Sequence, residues 1–286
     1  MADLLADRLP FSGGLLDLRF AVASDGRTRL SSRAHRFPLR MTAPLYLDPG
    51  DPGMAFVYVQ NPTGGVFAGD RLALRVCAGA GARVHVTTTA AAKVHRMEEG
   101  AAVQSLDVRL GDAAYVEYAP EPLIPQAGSR LEQEIAVEVG EGAAFLAAET
   151  VAPGRFARGE LFQYDRLLLR TTVRDAGGRE LLADTLLLEP SRRSPHRRGL
   201  LGAHAFLGTV LAVAPRGDAG ALAERLHGAV RNLPGSLAAA GTLPSEAGVL
   251  VRVLAGTSTA AGRAIEAAWR VARETLIGLP PPRRRK

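Results

Sequence analysis

Apolar and polar residues alternate with a period of two through most of the first two hundred positions. Leu16, Leu18 and Phe20 are separated by Asp17 and Arg19, a pattern typical of a strand with one buried face. Similar runs predict strands at residues 55–59, 72–76, 83–88, 103–110, 115–118, 131–139, 144–149, 162–173 and 181–188. This number of strands favours two layers or a coiled array over one small sheet.

Short turn sequences separate these runs. Glycine, with or without aspartate, occurs at residues 79–81, 111–112, 140–142 and 175–178, where it reverses the chain at little conformational cost. Strands joined by such short turns are expected to pair antiparallel.

The apolar spacing changes after residue 215, where it becomes helical. Asp218 is predicted to cap a first helix, and residues 257–259 a second one that ends before Gly278 and packs Trp269 into the core. A strand is expected between them at residues 248–254. The fold class is therefore mainly β (α+β), with a large antiparallel or coiled β-sheet body and two helices near the C-terminus. We expect one domain over residues 1–286, with a β-rich body (1–215), a helix-containing part (216–279) and a basic tail (280–286).

Composition and charge narrow the functional classes. The single cysteine of the 286 residues excludes an internal disulfide framework or thiolate zinc site. The formal charge is +6, but residues 283–286 supply four of these charges, and the basic cluster at 191–198 contains no aromatic residue to stack on bases. Both segments are interpreted as solvated, with an anionic partner surface or nucleic acid as the alternatives. We find neither a membrane-spanning run nor a signal peptide, and we expect a cytoplasmic location and no membrane association.

A glycine-rich stretch, QNPTGGVFAGD at residues 60–70, has the spacing of a phosphate-binding loop. Asp70 and Arg71 stand where such a loop needs lysine and a hydroxyl residue, and an aspartate there would repel a triphosphate. The glycines are interpreted as a tight bend between two strands.

Side chains suited to chemistry are dispersed along the chain. The six histidines are scattered, and no zinc-protease, nucleophile-elbow or calcium-loop motif occurs. Carboxylates at turns are the better candidates for ion chemistry, namely Asp70, Glu121, Glu149, Glu160 and Asp184. Lys93 is the only lysine before the last residue in an arginine-rich chain, and either a need for a compact ammonium or a surface lysine retained by chance explains it.

Four motifs, in order, make the chain resemble a known family. NPTGGVFAGDRL, VTTTAAAKVHRM, VEYAPEPLIPQAGSR and ETVAPGRFARGELF are similar to those of the urease accessory protein D family (UreD), called H (UreH) in some systems. The family usually has glycine where Ala68 stands and tyrosine where His95 stands.

The resemblance implies a scaffold and not an enzyme. Members of the family are mainly-β proteins that bind the urease apoprotein and the accessory protein F, which recruits a GTPase, G. The complex inserts nickel into urease at the expense of GTP, and a polar passage through D is thought to transfer the ion. No tightly bound cofactor and no nucleic acid are expected, only transient nickel.

The resemblance also suggests which residues serve that passage. No catalytic residue and no tight metal site are expected, since a conduit has to bind the ion weakly at several sites. The predicted lining residues are Glu149 and Glu160 first, then Asp70 and Glu121. Arg155 and Arg158 are expected to orient these carboxylates or pair with them, and Lys93 and Arg96 to serve the fold or an interface. A nucleic-acid-binding protein or a general β-scaffold remains the alternative, together with an enzyme that uses Lys93 and the threonines at 87–89.

Overall fold

The computed structural model describes residues 13–215 and 217–282, which form seventeen strands and two α-helices. The strands are β1 (Gly14–Val22), β2 (Thr28–Arg36), β3 (Arg40–Met41), β4 (Ala55–Gln60), β5 (Arg71–Ala78), β6 (Arg83–Thr88), β7 (Ala92–Val94), β8 (Ala102–Leu110), β9 (Tyr115–Tyr118), β10 (Leu123–Pro125), β11 (Arg130–Val139), β12 (Ala144–Val151), β13 (Arg166–Asp175), β14 (Glu180–Leu188), β15 (Phe206–Val213), β16 (Ser236–Thr242) and β17 (Gly248–Ala255). The helices are α1 (Ala219–Val230) and α2 (Ser258–Ile277).

Two large sheets form the body of the molecule. The seven-stranded sheet has the order β14-β13-β11-β8-β5-β1-β2. The ten-stranded sheet has the order β16-β17-β15-β12-β9-β6-β4-β3, with β10 beside β12 and β7 beside β10. The mainly-β class with two C-terminal helices is confirmed, and the body consists of two large mixed sheets.

Pairing across the short turns differs from the expectation. From β4 to β13, apart from the short strands β7 and β10, the chain alternates between the two sheets. As a result β5, β8, β11 and β13 pair parallel in one sheet, as do β4, β6, β9 and β12 in the other. The prediction of antiparallel pairing was wrong for these strands and holds for hairpins such as β1–β2 and β13–β14. Each strand buries its apolar face against the opposite sheet, and a short turn can therefore connect it to a strand of that sheet instead of to a neighbour in its own. After two such crossings the chain returns to the first sheet in its original direction, and the neighbouring strands are parallel.

The ten-stranded sheet is covered on both faces. Alternate residues such as Phe145 and Ala147 face the seven-stranded sheet, while Leu146 and Ala148 pack with the helices. The result is three layers, sheet on sheet on helices. Trp269 of α2 is 3% exposed, as the predicted core position requires.

Both helix starts follow the predicted capping chemistry. The Asp218 carboxylate accepts a hydrogen bond from the Ala221 amide at 2.8 Å, and the Thr257 hydroxyl accepts one from the Ala260 amide at 3.2 Å. α2 ends at Gly278 in a left-handed conformation with φ 72°, as glycine readily allows. The predicted strand at 248–254 is β17, whereas β16 was not predicted.

A buried polar network joins α2 to the outer face of the ten-stranded sheet. Arg273, with no exposed surface, pairs with Asp48 and places its Nε 2.7 Å from Glu117 Oε1. Glu117 also lies 2.7 Å from His85 Nδ1 and accepts a hydrogen bond from the Tyr115 hydroxyl at 2.6 Å. Burial acts to raise the pKa of Glu117, but these partners outweigh it and the pKa is lowered. Glu117 therefore stays ionised and fixes α2 in place.

The glycine-rich stretch is a compact turn between β4 and β5. Gly64 and Gly69 have φ values of 84° and 78°, and the Asp70 carboxylate accepts a hydrogen bond from the Phe67 amide at 2.8 Å. Asp70 therefore fixes the turn, and the tight bend predicted from the glycines is present. The basic tail at 283–286 lies outside the described residues, and no helix within 13–215 and 217–282 is long and apolar enough to cross a membrane.

Candidate functional site

An elongated cavity of about 260 Å³ lies between the two sheets. Its lining comes from five neighbouring strands of the seven-stranded sheet, from β14 to β5, and from facing strands β17 to β4 of the other sheet. Five adjacent strands span roughly 19 Å across a sheet. The cavity is therefore long and narrow, runs across the strands, and has room for on the order of ten or more water molecules.

Polar side chains interrupt the apolar inner faces at this level. Glu149, Thr209 and Arg252 are aligned across β12, β15 and β17 by the strand register, and we call them the polar row. Gln133 and Asp184 reach the cavity from the opposite sheet. Each of these residues stands where the period-two pattern calls for an apolar side chain, so they place polar groups in an otherwise largely apolar space inside the core.

Glu149 is the acid at the middle of the cavity. Its Oε1 accepts a hydrogen bond from the Gln133 amide at 3.0 Å. Burial raises the pKa of Glu149 from 4.5 to about 7, and the Asp184 charge acts in the same direction, while Gln133 and Arg252 act against the rise. Burial and the Glu149 charge also raise the pKa of Tyr118 well above its usual range. Near neutral pH, Glu149 is therefore poised between its protonated and ionised forms.

Arg252 and Asp184 form an ion pair at the end of the cavity next to the edge strand β14. The Arg252 guanidinium donates one hydrogen bond to Asp184 and another to the Thr209 hydroxyl at 2.7 Å. The two side chains retain 35% and 27% of their accessible surface. This pair links the two sheets while remaining accessible to solvent in the cavity.

The opposite end of the cavity is formed by exposed loop and strand residues. Lys93 of β7 and Thr89 line it and are exposed, and Glu121 lies nearby with its amide donating to the Thr88 hydroxyl at 2.9 Å. The charged lining residues thus run from Lys93 and Glu121 through Glu149 to the Asp184–Arg252 pair.

Comparison with known proteins identifies the family. The family model described as UreD urease accessory protein matches residues 12–286. The chain belongs to the UreD family. It is 39% identical to urease accessory protein UreD 2 of Streptomyces griseus over 289 residues, covering 99% of this chain and 97% of the relative. It is 35% identical to urease accessory protein UreD of Haloarcula marismortui, covering 97% and 91% of the two chains.

Membership of the UreD family assigns a role in urease maturation as an accessory protein, not as a catalyst. The family recognised from the four sequence motifs is confirmed. The His95 ring stacks on Phe67 with 4.5 Å between ring centroids. This contact lies beside Gly65 at the Lys93 end of the cavity.

The structure divides the site residues predicted from the UreD resemblance into two groups. Glu149, Glu121 and Lys93 line the cavity. The others lie elsewhere and are Asp70, Glu160, Arg155, Arg158 and Arg96. Asp184, the fifth carboxylate noted in the sequence, also lines the cavity.

Glu160 serves a loop in this UreD chain. It is buried and ion-paired with Arg155, and its Oε1 accepts a hydrogen bond from the Ala127 amide at 3.0 Å. Burial acts to raise the pKa of Glu160, but these hydrogen bonds lower it overall. Arg155 thus pairs with a carboxylate as expected, whereas Arg158 is exposed at the end of a short 3₁₀ turn and Arg96 is exposed beside Gly128.

Among the cavity residues that were not singled out from the sequence are Gln133, Thr209 and Arg252. Each has a leucine or isoleucine two positions before it and another two positions after it, as Arg252 has Leu250 and Leu254. A polar residue at an inward position of a predicted strand is the sequence signal that could have found them. Among the described residues of this UreD chain, no group of three or more His, Cys, Asp or Glu side chains is placed to hold a metal ion.

Proposed function

We propose that this chain is a maturation scaffold that binds the urease apoprotein and accessory protein F, which recruits the GTPase G, and that nickel passes through its inter-sheet cavity during GTP-dependent insertion into urease. Nickel is the cargo of this process and no cofactor is held tightly. The cytoplasmic location expected from the sequence is part of the same proposal. Membership of the UreD family supports the urease context.

The observation on which the proposal rests is the succession of carboxylates along one cavity. Glu121, Glu149 and Asp184 line it at separate positions across the width of the sheets. Oxygen ligands suit a divalent ion of borderline hardness. Because no three of the described acidic, histidine or cysteine side chains are gathered into a cage, no tight site is formed, and the ion can bind in passing.

Glu149 is suited to transient binding because its charge is conditional. A carboxyl with a pKa of about 7 is largely protonated below that pH and ionised above it. Nickel binding at Glu149 therefore competes with a proton, which weakens the site near neutral pH. Gln133 holds the carboxylate oriented into the cavity through its hydrogen bond.

The turn at residues 60–70 supports placing the nucleotide on a partner. Asp70 stands where a phosphate loop has lysine, and its carboxylate is engaged with the Phe67 amide. A GTP-dependent step is accordingly assigned to the GTPase G.

The test separates assembly from transfer. Glu149→Gln removes the cavity charge with almost no change of shape, and Glu138→Gln makes the same change at an exposed position of β11. Each variant is co-expressed with urease and the other accessory proteins, and co-purification of apoprotein and F is measured beside urease activity. We expect both variants to assemble and only Glu149→Gln to lose most activation. Normal activation by Glu149→Gln would contradict the cavity route, and failure of the parent chain to co-purify with urease apoprotein would contradict the scaffold role.

A further inference from the structure

Arg252 is the only arginine among the described residues that line the cavity. It lies on β17 between Leu250 and Leu254, and these two inward-facing neighbours pack toward the opposite sheet. Its guanidinium is held by Thr209 in the same sheet and by Asp184 in the facing sheet. Two partners from different sheets fix the positive charge inside the passage.

The fixed positive charge of Arg252 would repel a metal cation in the same cavity, and its presence there therefore needs an explanation. A guanidinium cannot lose its proton in a protein, so the Arg252 charge is permanent. It pairs with Asp184 and acts on Glu149 in the direction that favours the ionised carboxylate. Without Arg252, the two carboxylates would face one another's charge with no cation beside them, and together they would attract a divalent ion strongly.

We propose that Arg252 is the resident counter-ion of the passage, which keeps the carboxylate pair Glu149 and Asp184 from trapping a divalent metal ion and so permits its release. A passing ion competes with the guanidinium for the Asp184 carboxylate, and the Asp184–Arg252 ion pair forms again when the ion leaves. Arg252 is a positioning residue in this scheme and touches no metal. The proposal rests on the function proposed above.

A purely structural role for Arg252 makes a different prediction. If the Asp184–Arg252 pair only ties the sheets together, its loss lowers stability and leaves metal affinity unchanged or weaker. If Arg252 is a counter-ion, its loss raises metal affinity while transfer to urease falls. The affinity of the full chain for nickel therefore distinguishes the two roles.

The experiment measures nickel binding by equilibrium dialysis with nickel chloride, using the full-length chain in complex with accessory protein F. Arg252→Met removes the charge, and Arg170→Met makes the same change at an exposed position of β13. We expect Arg252→Met to bind nickel about tenfold more tightly or better, and Arg170→Met to match the parent chain. Asp184→Asn added to Arg252→Met is expected to reverse the gain.

Two further variants keep the test decisive. Arg252→Lys retains the charge and is expected to keep the parent affinity, and Arg252→Gln, which retains a donor for Thr209, replaces Arg252→Met if the latter does not fold. Unchanged or weaker nickel affinity in the charge-removing variant, or a gain that persists with Asp184→Asn, would overturn the counter-ion role. If either of these results is obtained while Glu149→Gln still abolishes urease activation, only the counter-ion role of Arg252 is wrong. Normal activation by Glu149→Gln would instead remove the proposed function.

Discussion

Glu149 should lower the stability of the protein as the pH rises, and its replacement by glutamine should remove that loss. The pKa of the carboxyl is 4.5 when solvated and about 7 in the folded chain. A folded-state pKa above the unfolded value means that the folded state binds the proton more tightly. The contribution of Glu149 to stability is thus most favourable below pH 4.5 and is lost as the pH rises through the interval up to about 7.

The magnitude follows from the difference between the two pKa values. At about 1.4 kcal/mol for each pH unit, the ionised Glu149 costs about 3 kcal/mol above pH 8 and less than about 1 kcal/mol at pH 5. Glu149 keeps part of its accessible surface, and screening by solvent makes this value an upper bound. Glutamine keeps the shape and can still accept the Gln133 hydrogen bond, and it does not ionise.

The assay is urea unfolding of the parent chain and Glu149→Gln at several pH values between about 5 and 8, with Glu138→Gln as the matched control. We expect the variant to gain little at pH 5 and up to about 3 kcal/mol at pH 8, while the control stays with the parent. A difference between Glu149→Gln and the parent that does not change with pH would refute the reasoning. A more stable variant that fails in urease activation would show that the acid is retained for function.

Two further changes test other parts of the structure. Arg273→Met leaves Glu117 and Asp48 without their buried cation and should reduce the free energy of unfolding by about 3–5 kcal/mol in urea denaturation. Arg270→Met, on the exposed side of α2, is the control in the same assay. Equal losses of stability in the two variants would argue against a stabilising role of the buried network. Gly65→Ala would place a Cβ 2.3 Å from the His95 ring and should lower the free energy of unfolding by on the order of 1–3 kcal/mol. Differential scanning calorimetry would detect this loss as a lower melting temperature. An unchanged melting temperature would show that the loop accommodates the Cβ without strain.

The strands were predictable because a period of two reports directly which face is buried. Residues 83–88 and 115–118 coincide with β6 and β9, and the caps at Asp218 and Thr257 are local chemistry. The pairing direction was not predictable from the same pattern. A short turn fits a hairpin as well as a crossing to the opposite sheet, and only the need to bury both sheet faces over the whole chain distinguishes them.

The candidate site shows the same limit. Glu149 and Glu160 were chosen together from neighbouring motifs, but Glu149 follows Ala147 at an inward position of β12, whereas Glu160 lies after the last residue of a short 3₁₀ turn. Strand register explains why one reaches the cavity and the other pairs with Arg155. Arg252 lies within β17, away from the turns whose carboxylates indicated ion chemistry, and only its inward register position marks it as a cavity residue.

Nickel is proposed to pass through the inter-sheet cavity beside Glu149. The most direct measurement is the nickel content of urease apoprotein after incubation with GTP, nickel and a purified complex of this chain with accessory proteins F and G. At equal amounts of assembled complex, we predict near-parent nickel transfer with Glu138→Gln and a severe loss with Glu149→Gln. Equal nickel contents for the two variants would contradict the account.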